Sequence, residues 1–163
     1  MFIAHLPSGY ILSKYILKQF KSVATTPLVL IVGAIGAIAP DFDMAYFYLI
    51  DHQQTHHHKY ISHWPILWFS LVFAFSLGFC FAKQSKLVFL ALVFSLGGVL
   101  HIVLDSFVGD IWWFSPFIDK PYALFYVPAR FQPWWLNFII HWSFIMELII
   151  CAWAWLIYRN GSN

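Results

Sequence analysis

Charge is what this chain has least of. Asp, Glu, Lys and Arg together make up 10% of 163 residues, against 61% hydrophobic, whereas soluble domains carry about 25% charged residues. That shortfall leaves too little polar surface to cover a water-facing globule, and the length suits a single domain, 1–163. A net charge of +2 supplies no basic field, so nucleic acid is not indicated as a partner. Cysteine is nearly missing. Cys80 and Cys151 sit in apolar runs without CxxC or zinc-ribbon spacing and read as small core hydrophobes. No GxSxG, P-loop or dinucleotide glycine pattern occurs, and there is no internal repeat. The N-terminus lacks the early basic region of a signal peptide, because its lysines follow the apolar stretch.

What the chain does have is five apolar helical runs, at about 6–21, 26–39, 64–82, 87–105 and 134–158. The last three hold roughly 19 to 25 residues, enough at ~1.5 Å per residue for a ~30 Å hydrocarbon core. The first two are short and must tilt or pack inside the others. The expected fold class is therefore all-α, a polytopic membrane bundle of about five helices.

Basic residues give the orientation. Lys14, Lys18 and Lys21 precede the second run, Lys83 and Lys86 join the third to the fourth, and Arg159 follows the fifth. Alternating crossings place all of them on the cytoplasmic side. The opposite face receives Asp41, Asp43, Asp51, Asp105, Asp110 and Asp119, together with His52, His56, His57, His58, His63 and His101. His5 joins them if the first run crosses. Trp64, Trp112, Trp113, Trp134 and Trp135 fall near that boundary as interfacial anchors. Glu147, near the middle of the fifth run, and Lys14, within the first, are costly in a bilayer unless paired. They are expected to pair with each other, or Glu147 to hydrogen-bond His141 or another polar neighbour.

Four stretches carry the chemistry: His5 in FIAHLP, PDFD at 40–43, HKYISH at 58–63 and HIVLD at 101–105. His101 and Asp105 are four apart and share a helical face, so both can bind one divalent cation. His58 and His63, five apart, suit a loop meeting a helix start. Asp41 and Asp43 alternate if extended, so one can ligate while the other orients or acts as a base. Imidazole with carboxylate and no thiolate is a zinc set, with manganese second. A lone His is more often structural and a helix-end Asp more often a cap; four segments converging on one face weigh the other way.

In this order, with the aromatic stretch WWFSPF at 112–117, the motifs resemble the YdjM-type family of membrane-bound metal-dependent hydrolases, itself distantly similar to zinc-dependent phospholipases C. The resemblance covers residues 5–117. It implies a main metal site of Asp43, His58, His101 and Asp105, with His5, Asp41 and His63 serving a second metal or orienting the first set. Lys59 stands where the family usually has Arg, and would contact phosphate as a point charge; Ser62 stands where Thr is common. His56 and His57 read as solvated loop residues.

The activity so implied is metal-dependent hydrolysis of a phosphate ester or diphosphate on a lipid-like substrate, at the periplasmic face of a bacterial inner membrane. Asp41, His63 and Lys59 are the candidate catalytic residues. Arg130 is a further basic candidate or an interfacial anchor. The rival readings are a non-catalytic metal-binding membrane protein, an assembly partner using its histidines at an interface, and a transporter. Transport ranks lower, because the polar residues gather at helix ends and not at the midplane.

Overall fold

The computed structural model describes residues 3–20, 23–83, 85–133 and 135–161, and these are helical with no β-sheet. Seven α-helices occur among them: α1 (His5–Gln19), α2 (Thr26–Ile38), α3 (Asp43–Leu49), α4 (Pro65–Phe81), α5 (Lys86–Asp105), α6 (Trp135–Ile140) and α7 (Ser143–Asn160). Three 3-10 turns, Pro40–Phe42, His57–Lys59 and Ile61–His63, carry Asp41, His57, His58, Lys59, Ser62 and His63. A single antiparallel bridge pairs Ile111 with Tyr122 in the long loop after α5. Lys21 and Trp134 lie outside the described residues.

Four of the five expected runs appear within a few residues of their expected ends. The fifth is broken. His141 and Ser143 share a 2.8 Å hydrogen bond between Nδ1 and Oγ. Such local side-chain bonding competes with the helical ladder, and the chain restarts as α7. Among the described residues one helix, α5, is long and apolar enough to cross a membrane; α2 and the Pro40–Leu49 segment, bent by 58°, pass together as a broken pair. α4, at 17 residues, is apolar but shorter.

The interior combines two apolar clusters, Leu17, Val29, Phe89 and Val93 in one and Trp68, Ile102 and Ile111 in the other, with buried polar groups, while much of the exterior is apolar. Ser13 and Ser95 are fully buried and return their hydroxyls to the backbone carbonyls of Gly9 and Ala91. Phe69, Phe73, Leu77 and Phe81 on α4, and Ile145, Leu148, Ile149 and Leu156 on α7, lie exposed. α5 packs against α2 and α4, and α1 packs against α2 and α7.

Missing side chains set the α2–α5 distance. A Cβ at Gly36 would fall 2.2 Å from the Phe94 carbonyl oxygen, and one at Gly97 would fall 2.7 Å from the Ala37 nitrogen. Both obstacles are backbone and cannot rotate away. The next residue, Gly98, makes room for the Trp68 indole, whose Nε1 donates to the Ser62 carbonyl at 2.6 Å. Glycine on α5 thereby anchors the histidine-bearing turns. Gly36→Ala is expected to destabilise the fold by about 1–3 kcal/mol through overpacking. Thermal unfolding in detergent measures it, and a melting temperature equal to the parent's would contradict this packing.

Candidate metal centre

The centre assembles where α2 and α5 end. Pro40 stops α2, and Ala37 belongs to its last turn, where carbonyls have no partner within the helix. The Ala37 carbonyl lies 2.8 Å from Nδ1 of His101. With Nδ1–H donating there, the Nε2 lone pair of His101 faces inward, as a ligating imidazole requires. Asp105, one turn further along α5, brings Oδ2 to 3.0 Å from that Nε2.

The other donors come from three more segments. The 3-10 turn at Pro40–Phe42 delivers Asp41 Oδ1 to 3.6 Å from both His101 Nε2 and His63 Nε2. His63 is oriented from behind: its Nδ1 lies 2.7 Å from Asp43 Oδ2, which also accepts from Ser62 Oγ at 2.5 Å. His58 Nδ1 bonds the Asp110 carbonyl at 3.0 Å, turning its Nε2 to within 3.5 Å of Asp105 Oδ2. His5, at the start of α1, stacks on His101 with ring centroids 3.8 Å apart and sets Nε2 3.1 Å from Asp105 Oδ1.

Asp41, His63, His101 and Asp105 each offer a ligand atom within 4.8 Å of the others. His63 Nε2 and His101 Nε2 are buried without a hydrogen-bond partner. Buried polar atoms left unbonded are destabilising, and a cation between them and the two carboxylates would satisfy all four at once. The residues present therefore fit a divalent ion of the zinc or manganese kind. The C-terminal ends of α2 and α5, both negative in helix-dipole terms, favour a cation in the same place.

Burial holds the His58 imidazole well below its usual pKa, against the pull of Asp105. It is neutral, the form that binds metal. Burial also works to lower His63, but the Asp41 and Asp43 carboxylates beside it outweigh it and push the group up to about 9. In the ion-free protein a proton on His63 supplies the positive charge that these carboxylates require.

A cavity of about 370 Å³ opens beside the centre. Asp41 and Asp105 border it from the metal side, His56, His57 and His58 from the turns, and Phe125, Tyr126 and Phe138 from the far wall. Asp41 is the one of the four grouped residues with substantial exposure, its side chain 37% accessible, so it connects centre and cavity.

All seven candidate ligands come together, with their order changed. Asp41 and His63 stand in the inner group, while Asp43 stands behind His63 and His58 approaches from the side through Asp105. Asp41 and Asp43 were interchangeable in an extended reading; the 3-10 turn decides which one points inward. His56 is exposed in the loop, as expected, but His57 is half-buried in a 3-10 turn. Both line the cavity, and His57 packs against His58 with centroids 4.0 Å apart. Lys59 is drawn off: its Nζ pairs with Asp119 at 2.9 Å, beneath which Trp112 donates to the same carboxylate at 2.6 Å.

Glu147 does not pair with Lys14 or His141. Its carboxylate accepts from the backbone N–H groups of Ile3 and Ala4, at 2.5 and 3.1 Å. It thereby caps α1 just ahead of His5, at an N-terminus that has no side-chain cap of its own. No residue spacing signals a cap supplied from the far end of the chain.

A family model described as YdjM inner membrane protein matches residues 1–161, nearly the whole chain. The chain belongs to the YdjM family. The family description places this YdjM protein at the inner membrane, in accord with the apolar α5. No curated protein and no solved structure matches it.

His101→Ala is expected to abolish stoichiometric zinc or manganese binding by the purified YdjM-family chain, whereas Lys59→Ala retains it. Elemental analysis after desalting reads both. Equal metal content in the two variants would remove His101 from the centre.

Proposed function

We propose that this protein is a membrane-bound metal-dependent hydrolase acting on a phosphate ester or diphosphate of a lipid-like substrate. The observation that carries the reading is the pair of buried, unbonded imidazole nitrogens on His63 and His101, facing Asp41 and Asp105 beside an open cavity. A divalent cation held by these four residues, with His5 and His58 against Asp105, supplies Lewis acidity toward a phosphoryl oxygen and makes water a stronger nucleophile.

The chain's own residues then have distinct roles. Asp41, reaching both centre and cavity, accepts the proton of the attacking water. His63, held by Asp43 and Ser62, keeps one nitrogen toward the centre. His101 is fixed in one tautomer by the Ala37 carbonyl. Phe125, Tyr126 and Phe138 give the cavity an apolar wall suited to the lipid portion of a substrate. Lys59 is tied to Asp119 in the free protein and reaches a phosphate only by leaving that pair.

The membrane arrangement belongs to the same reading. Exposed Phe, Leu and Ile follow one another along α4 and α7, and contiguous apolar faces mark contact with a membrane or partner, so in this reading these helices lie against lipid beside α5 in a polytopic bundle. Lys83 and Lys86 stand at the end of α4 and α5 opposite Asp105. Basic residues favour the cytoplasm, which puts the metal centre at the periplasmic boundary. A non-catalytic metal-binding protein is the second reading; the cavity reaching the centre favours the first.

Purified protein supplied with zinc or manganese is expected to release phosphate or a phosphorylated headgroup from phospholipid or polyprenyl diphosphate. The His101→Ala/Asp105→Ala double variant is expected to lose that activity by at least about 100-fold, on the scale of groups acting directly in the transition state. Turnover unaltered in the double variant, measured by phosphate release, would eliminate the scheme.

A further inference from the structure

The inner group leaves histidines unused, and they are packed directly against it. The rings of His5, His101, His63, His58 and His57 run in series, with successive centroids 3.8, 5.3, 4.6 and 4.0 Å apart. At the His57 end stands a second pair of unsatisfied atoms. Asp43 Oδ1 and His57 Nδ1 are both buried, neither has a hydrogen-bond partner, and they are 3.8 Å apart.

That distance is too long for a hydrogen bond. It is close to the separation of two donors on one tetrahedral ion, about 3.4 Å for bonds of ~2.0–2.1 Å. Asp43 is also held for the task. Its side chain is 8% exposed, and Oδ2 is already engaged by His63 and Ser62, so the carboxylate cannot swing away without breaking both bonds. His57, His58 and His63 each offer a ligand atom within 4.8 Å of the others. The inner group consumes one nitrogen of His63 and leaves His57 entirely unassigned.

We propose that His57 and Asp43, with His58 beside them, form a second divalent-cation site adjacent to the first. The inference rests on the metal-centre reading of the inner group and extends it. His57 and His58 border the same cavity as Asp41 and Asp105, so two ions would face one space. That arrangement suits a phosphoryl group, whose oxygens two cations can hold together. A carboxylate shared between orienting His63 and binding the second ion couples the two sites.

Metal content decides it, independently of turnover. The full chain in detergent, stripped with chelator, reloaded with zinc or manganese and desalted, is expected to hold two ions. His57→Ala and His57→Gln are each expected to hold one, with elution and melting like the parent's. Parent protein holding one ion, or His57→Gln holding two, overturns the second site and leaves the first standing. Loss of both ions in folded His57 variants overturns the division into separate sites, and parent protein binding none overturns both readings. Should neither variant fold, stepwise chelator extraction of the parent decides: two ions leaving in separate steps support the proposal, and a total of one overturns it.

Discussion

The hydrogen bond from His101 to the Ala37 carbonyl is the tie on which the centre depends, because it fixes the direction of the other ring nitrogen. It can form only where two helix backbones nearly touch. Gly36 and Gly97 allow that approach, and any Cβ there would meet backbone atoms. Pro40 contributes by ending α2 at the right height, which frees a carbonyl and starts the 3-10 turn that carries Asp41. A strictly local feature, the end of a helix whose last-turn carbonyls lack helical partners, is thus converted by close packing into the orientation of a buried imidazole. Gly98 extends the same device to the turns, since the indole it admits holds the Ser62 carbonyl next to His63.

Around this tie the electrostatics are arranged for a cation. Three carboxylates, Asp41, Asp43 and Asp105, meet a succession of imidazoles in a space with little water access. Burying such charges is unfavourable unless each finds a partner. Some partners are backbone groups: Ala37 and Asp110 accept from ring nitrogens, and Ile3 and Ala4 donate to Glu147. The remaining ring nitrogens converge on the carboxylates. A proton on His63 or a divalent ion meets the same requirement, so an ion bound there would displace the proton. The outward surface follows the opposite logic. Large apolar side chains cover α4 and α7, as suits helices whose surroundings are lipid while their contacts with one another use small residues.

Much of this was legible in residue order. Scarcity of charge and abundance of long apolar runs point away from a water-covered domain, and they locate four of the helices to within a few residues. The spacing of His101 and Asp105 puts both on one helical face whatever the surrounding fold. The set His5, PDFD, HKYISH and HIVLD names the seven residues that gather. Those inferences hold because helical period, hydrophobic length and ligand chemistry are properties of the chain itself.

Other features were decided only in three dimensions. Whether Asp41 or Asp43 faces the inner group depends on a 3-10 turn, since a rotation of one residue exchanges them. Lys59 was drawn to Asp119, sixty residues away, and Glu147 to the backbone ahead of His5, because buried or half-buried charges take whatever partner the packing brings within reach. His57 moved from the loop into the cavity wall for a similar reason: the glycine-anchored turns press it against His58 and Asp43. Residue types along the chain determined which groups were available to grip a cation. Their directions, and the partners that hold them, were set by contacts between segments far apart in sequence, where differences of an ångström decide which lone pair points inward.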